Sequence, residues 1–236
     1  ATFVISNQLA INLAYQKLVT AELGPDGPTG RIVGDLAQGW ETSADGLQWT
    51  FRLHPGRRFD DGSEVTAEAV KVSFERTLRL KAPPAQFLFF LRAVEVLGAH
   101  EVRFVLRMPV AFFLQVLAVP PSSIVTPKVL ARARGEDLGS RWLSVNTAGS
   151  GPYRVSQFEK GQRVTLEPNP HGAEPPRYFR EVHFLIVKDD ATRVIQLAKG
   201  ALDIVDPVPG SVEPWLATQQ GVRLVSYAIH WIKAEI

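Results

Sequence analysis

The chain has no cysteine among its 236 residues, which removes disulfides, thiolate metal sites and cysteine nucleophiles together. No apolar run reaches the roughly 18 to 20 residues that a membrane span needs, so no spanning helix is expected. The start, Ala1-Thr2-Phe3-Val4, lacks a basic stretch and a cleavage site, so any export signal is expected outside this chain. A charge excess is also missing. The formal net charge is +2, and lysines and arginines are scattered rather than gathered into the stripe that nucleic acid requires; no nucleic-acid partner is expected. The one local excess, Arg132, Arg134 and Arg141, is interrupted by Glu136 and Asp137 and reads as a solvated helix end in preference to an anion site.

Catalytic patterns are equally scarce. His54, His100, His171, His183 and His230 show no HExxH motif and no i, i+4 pairing, so no metal site is expected. Asp60-Asp61 precedes a turn glycine and Asp189-Asp190 precedes a helix, which favours turn and cap roles over catalytic carboxylates. Gly149-Ser150-Gly151 lacks the lysine of a phosphate loop and the flanks of a nucleophile elbow; it reads as a backbone-permissive turn opening a strand. No catalytic residue and no cofactor follow from these residues.

What is present is globular patterning, with 45% hydrophobic and 21% charged residues. Leu9, Leu13, Ala14 and Leu18 recur at helical spacing over Asn7 to Val19, and Gly24 to Pro28 reads as a hinge-like turn. Leu47, Trp49, Phe51 and Leu53 alternate with polar residues, the period of a half-buried strand; core packing is the expected role of Trp40 and Trp49. Thr66 is the expected cap of a helix with Glu68 in its first turn and Val70, Phe74 and Leu78 on one face. Glu101 to Arg107 reads as a strand and Val110 to Val119 as a short buried helix. Strands are expected at Tyr153 to Phe158, Arg163 to Leu166 and Val182 to Val187. Asp190 is the expected cap of a helix over Ala191 to Lys199, Ser211 of one over Val212 to Gln220, with a strand from Val222 to Ile232. This alternation predicts a mixed α/β fold with seams near Gly24 to Pro28 and Gly139 to Ser150.

Three ordered blocks carry a resemblance. Gly34 to Leu53 (GDLAQGWETSADGLQWTFRL) continues into Arg58 to Val70 (RFDDGSEVTAEAV); Gly149 to Val155 reads GSGPYRV; Val187 to Ile204 contains KDDATR and GALDI. Together they resemble the extracellular solute-binding proteins of family 5, the oligopeptide, dipeptide and nickel-binding components of ABC transporters. Departures are Gly34 in place of proline, Ala201-Leu202 in place of an acidic-apolar pair, and His171-Gly172-Ala173 after Asn169-Pro170 where the family has an aromatic pair.

The resemblance implies an α/β fold of the periplasmic-binding-protein type II-like class, in two lobes and roughly twice this length. It implies that this chain is lobe I only, a mixed sheet core of residues 1–24 and 145–236 with an inserted α+β subdomain of residues 25–144, lobe II being absent. The implied function is capture of a peptide or peptide-like solute for an ABC importer. Its implied partners are that ligand and the ABC permease membrane subunits, with a monomeric protein placed in the periplasm or outside the cell and lipid anchoring left open. The alternatives are the ligand-sensing domain of a cytoplasmic transcription regulator and a nickel-chelate or opine-binding importer component. By resemblance, ligand contacts fall to Gln86, Phe87, Phe89 and Phe90 after the long helix and to Pro121, Ser122 and Ser123 in a later loop. A core role competes for each phenylalanine, because a run of apolar residues cannot all face a cleft. Nickel-chelate relatives carry an arginine in the loop matching Val119 to Ser123, and none stands there.

Overall fold

The computed structural model describes residues 9–24, 27–172 and 179–224. The first helix, α1, covers residues 9–14 and closes with the Tyr15 N–H on the Ile11 carbonyl at 2.9 Å. It does not run to Val19 as the spacing predicts. Val19 instead opens strand β1 (Val19–Gly24), which pairs antiparallel with β2 (Gly27–Gly34), with Gly24 opposite Gly27. The reason is local tying: the Asp35 and Ala37 N–H groups both donate to the Leu18 carbonyl at 3.0 Å, and Asp35 accepts the Lys17 N–H at 2.8 Å. These bonds satisfy the backbone of residues 17 and 18 through partners outside a helix.

The second sheet has the order β3 (Ala37–Thr42), β4 (Gln48–Leu53), β6 (Glu101–Leu106), β5 (Leu91–Gly98), all antiparallel. Register places Trp40 opposite Phe51 and Trp49 opposite Phe104. At the β3–β4 turn Asp45 accepts the Leu47 N–H at 3.0 Å and Gly46 takes φ +69, as the turn requires. Helix α2 (Ala67–Leu80) is capped by Thr66, whose hydroxyl accepts the Ala69 N–H, and it ends on Lys81 in the left-handed region. Its buried Val70 and Phe74 lie on the sheet, with the Phe74 ring edge-on to Phe104 at 4.9 Å. Phe51, Phe104 and Phe113 complete the aromatic centre with centroids 5.6 to 6.4 Å apart, the spacing aromatic pairs favour. Phe113 comes from α3 (Phe113–Leu117), shorter than the Val110 to Val119 helix expected from sequence.

The third sheet is β7 (Tyr153–Glu159), β8 (Arg163–Pro168), β9 (Val182–Leu185). Between it and the second sheet lies α4 (Ser140–Leu143); after it come α5 (Asp190–Ala198) and α6 (Glu213–Leu216). The cap of α5 is Asp189, not Asp190. Asp189 accepts the Thr192 N–H at 2.7 Å, whereas Asp190 sits inside the first turn and pairs with Arg193 at 2.6 Å. One position earlier puts the carboxylate opposite the free N–H groups. The helix expected over Val212 to Gln220 is a single turn, and Ser211 does not cap it: the cap position is Val212. Residues 222–224 are not strand, and the rest of the strand expected to Ile232 lies outside the described residues. The Gly149-Ser150-Gly151 turn is needed for close approach: a methyl group on Gly149 would stand 2.1 Å from the Ala14 carbonyl oxygen, and one on Gly151 2.4 Å from that of Leu13. The departing loop at Asn169 is anchored too, since buried Asn169 donates to the Gly151 carbonyl at 2.9 Å and accepts the His171 N–H at 2.9 Å.

Candidate functional site

The seven residues picked out by resemblance sit on two 3-10 turns, Pro83–Leu88 and Pro120–Ser122, and the residues just after each. Prolines open both turns, which suits a position whose N–H has no intrahelical partner. The fold packs these turns against one another, so residues distant in sequence share one region. Gln86 is exposed, Phe87 is 54% exposed and Phe89 is 62% exposed, whereas Phe90 is 1% exposed and belongs to the aromatic core. Phe90 lies edge-on to Phe89 at 5.2 Å and to Phe112 at 6.4 Å. Phe112, also exposed, therefore joins Phe89 on either side of a buried ring as an aromatic shelf. Ser122 is buried and donates to the Val116 carbonyl at 2.7 Å, a local brace for the end of α3. Pro121 is half-buried, and the Ser123 hydroxyl is buried without a hydrogen-bond partner. The shelf offers apolar and π surface with few polar anchors, so it can take up a side chain by burial and stacking but cannot by itself fix a charged terminus.

Sequence reasoning assigned Asp60 and Asp61 to a turn, and the structure gives that turn a wider role. The Asp60 N–H donates to the Gly149 carbonyl at 2.8 Å; the Asp61 carboxylate accepts the Ser63 N–H and hydroxyl, meets the Thr126 hydroxyl at 3.4 Å and pairs with Lys128 at 3.2 Å. Thr126 in turn donates its N–H to the Ala148 carbonyl at 2.9 Å, and the Ala148 N–H donates to the Tyr15 hydroxyl at 3.3 Å. Segments around residues 15, 60, 126 and 148 are thus sewn into one polar seam. Burial pushes Asp60 above the usual carboxylate range, opposed by the Thr147 hydroxyl and reinforced by the Asp61 charge. Partial burial acts the same way on Asp61, but the Ser63 hydroxyl and N–H and then Lys128 outweigh it and hold Asp61 low. Burial likewise drives Tyr15 up to about 12. Among the described residues no three His, Asp or Glu side chains gather as a metal site. Neither Phe112 nor the seam was picked out from sequence. Phe112 could have been found from its place beside Phe113 before a helix; the seam joins residues too far apart for spacing to reveal.

The chain belongs to the bacterial extracellular solute-binding proteins, family 5, whose model (described as "Middle") matches residues 31–232. A probable D,D-dipeptide-binding periplasmic protein of Escherichia coli K12, DdpA, is 37% identical over 214 residues, covering 91% of this chain and 41% of that protein. Di/tripeptide-binding protein 2 of Pseudomonas aeruginosa is 29% identical over 205 residues, 77% of this chain and 38% of its own length. Among solved structures, the binding protein AgaA from A. tumefaciens R10, in complex with agropinic acid, superposes with a TM-score of 0.78 at 28% identity, over 90% of this chain and 41% of that one. The oligopeptide-binding protein AppA of Bacillus subtilis, in complex with a nonapeptide, shares the fold with a TM-score of 0.77 at 23% identity, over 89% and 41%. The fold is accordingly of the periplasmic-binding-protein type, and the chain spans about 40% of the length of the relatives it matches. No described helix is long and apolar enough to cross a membrane.

Proposed function

We propose that this chain is the first-lobe portion of the substrate-binding component of an ABC importer, which captures a peptide or peptide-like solute outside the cytoplasmic membrane and delivers it to the permease subunits. The observation that carries this reading is the 37% identity to the D,D-dipeptide-binding relative across 91% of the chain. The division into a core of residues 1–24 and 145–236 and an insert of residues 25–144 is supported by the main hydrophobic cluster, which runs from Leu18 to Ile124, although Leu18 and Val19 join it across that boundary. In this reading the protein is a monomeric binding component with no catalytic role, working in the periplasm or at the outer face of the membrane. Lipid anchoring and an export signal belong to the same proposal.

The exposed shelf of Gln86, Phe87 and Phe89, with Phe112 added, is the part of the first lobe assigned to ligand side chains. Pro121 and Ser123 border it, while buried Phe90 and Ser122 hold it in shape. Affinity then comes from closing a second lobe over the ligand, which desolvates the polar contacts. Calorimetry on the intact protein with a D,D-dipeptide, L-dipeptides, an opine and a nickel chelate tests this. A peptide is expected to bind with a Kd of about 10 μM or tighter, and Phe89→Ala to weaken it about ten-fold. The 236-residue chain alone is expected to bind far more weakly. Binding of an opine or nickel chelate with no peptide binding would overturn the ligand class, and submicromolar binding by the chain alone would overturn the half-site.

A further inference from the structure

The arginine cluster is exposed, as a solvated helix end should be, with Arg132 and Arg141 each in the last turn of a short helix. Arg132 ends a 3-10 turn (Pro127–Arg132), Arg134 lies in the following loop and Arg141 is in α4. The three line one open hollow of about 430 Å³ together with Trp142, Val145 and Asn146, and its lining holds no acidic side chain. The loop that brings them together is tightly built. Gly139 takes φ +81, and a methyl group there would stand 2.5 Å from the Val129 carbonyl oxygen, so α4 can close on the 3-10 turn only with glycine at that position. From below, Arg76 of α2 donates through Nε to the Leu138 carbonyl at 2.8 Å and through Nη2 to the Ser140 hydroxyl at 3.0 Å.

Like charges held in one concavity repel, and neighbouring carboxylates ordinarily offset that. Here the adjacent carboxylate, Asp137, acts chiefly on the backbone and more weakly on the Arg141 charge. Asp137 accepts the backbone N–H groups of Arg134 at 2.7 Å, Gly139 at 2.9 Å and Arg141 at 3.2 Å, which shapes the loop without closing an ion pair on a guanidinium. Among the described residues the Arg134 and Arg141 side chains make no hydrogen bond or ion pair, and Arg132 makes a cation-π contact 5.8 Å from the Trp142 ring centroid. That contact places one guanidinium over the indole ring. A second hollow of about 310 Å³ shares Arg132 and Trp142 and adds Lys128, but Asp60 and Asp61 line it too and Asp61 pairs with Lys128, so positive charge is more concentrated in the first, where Asp137 attracts Arg141 from outside the lining.

We infer that this hollow binds a small polyvalent anion through its carboxylate or phosphoryl groups, at a site separate from the aromatic shelf. Planar guanidinium groups pair with such oxygens two at a time, which gives the site its chemical class. The probes are citrate and pyrophosphate, with acetate as the monovalent control, measured by calorimetry on this chain at low salt. Citrate or pyrophosphate is expected to bind with a Kd of about 1 mM or tighter, and acetate not measurably. Arg134→Gln with Arg141→Gln is expected to weaken binding about ten-fold or more without changing the thermal midpoint, because both side chains are exposed. Should that double variant not fold, the single Arg134→Lys and Arg141→Lys variants carry the same test, with a smaller loss expected because lysine keeps the charge and drops the fork. Peptide affinity of the intact protein is expected to be the same in wild type and variants, which separates this site from the proposed capture site. Equal anion affinity in wild type and folded variants, or no saturable binding up to about 10 mM, overturns the inference.

Discussion

The four-stranded sheet with α2 and the three-stranded sheet with α5 use the same local devices, yet they differ in what they bury. In the first, β6 alternates buried and half-buried residues, and Phe51, Phe59 and Phe104 are wholly shielded from solvent. In the second, β9 alternates half-buried and exposed residues, Leu185 is 48% exposed, and Ile195 on α5 and Ile204 beyond it are open to solvent. Strand pairing and capping are therefore sufficient to give local structure in both regions, but only the first adds a closed aromatic core. Since burial of apolar surface is the dominant favourable contribution to folding, the first region is expected to set the stability of the chain.

That contrast can be broken most forcefully in the core. Phe104→Ala, at a ring touching Phe51, Phe74 and Phe113, is expected to cost about 3–5 kcal/mol, whereas Ile204→Ala at an exposed position is expected to cost less than about 0.5 kcal/mol; urea unfolding of both variants compares them directly. Equal losses would abolish the distinction between the regions. Next comes the junction. Gly151→Ala forces a methyl group against the Leu13 carbonyl oxygen and is expected to lose about 2 kcal/mol or more, read as a lowered thermal midpoint.

The caps give a finer comparison. Thr66→Ala and Asp189→Ala each remove an acceptor from a helix start and are expected to cost about 1 kcal/mol locally. Hydrogen exchange should show the Asp189 variant opening α5 with little effect on the first sheet, and the Thr66 variant loosening α2. The smallest effect is one of pH. Because Asp60 titrates higher in the folded chain than in the unfolded one, its contribution makes stability fall as pH rises from the ordinary carboxylate value through its raised one. Asp60→Asn removes that fall, so the stability of the variant relative to wild type should improve as pH rises across this window. A relative stability that stays flat in pH-dependent denaturation would mean that burial does not raise the titration of Asp60.

Much of this was legible where the signal is local. Thr66 and the Trp49 to Leu53 alternation are written in adjacent residues, and each appears where expected. The errors fall where distant partners decide the outcome. Leu18 and Val19 continue a helical spacing, but pairing with residues 34–37 converts them to a strand entrance. Asp189 and Asp190 are both plausible caps by composition, and only the direction of the Thr192 N–H distinguishes them. In the candidate site, the exposed Phe89 and the buried Phe90 are neighbours of one type, so their opposite roles depend on the α3 aromatic residues, more than twenty positions away, that cover one and not the other.

Arg76 has a mechanical consequence. By gripping Leu138 and Ser140 from the middle of α2, it acts as a strut between the helix that backs the aromatic sheet and the loop that carries the arginine hollow. Two bodies braced in this way travel together. In the proposed capture role, this brace places any pivot of the chain outside the span from α2 to α4.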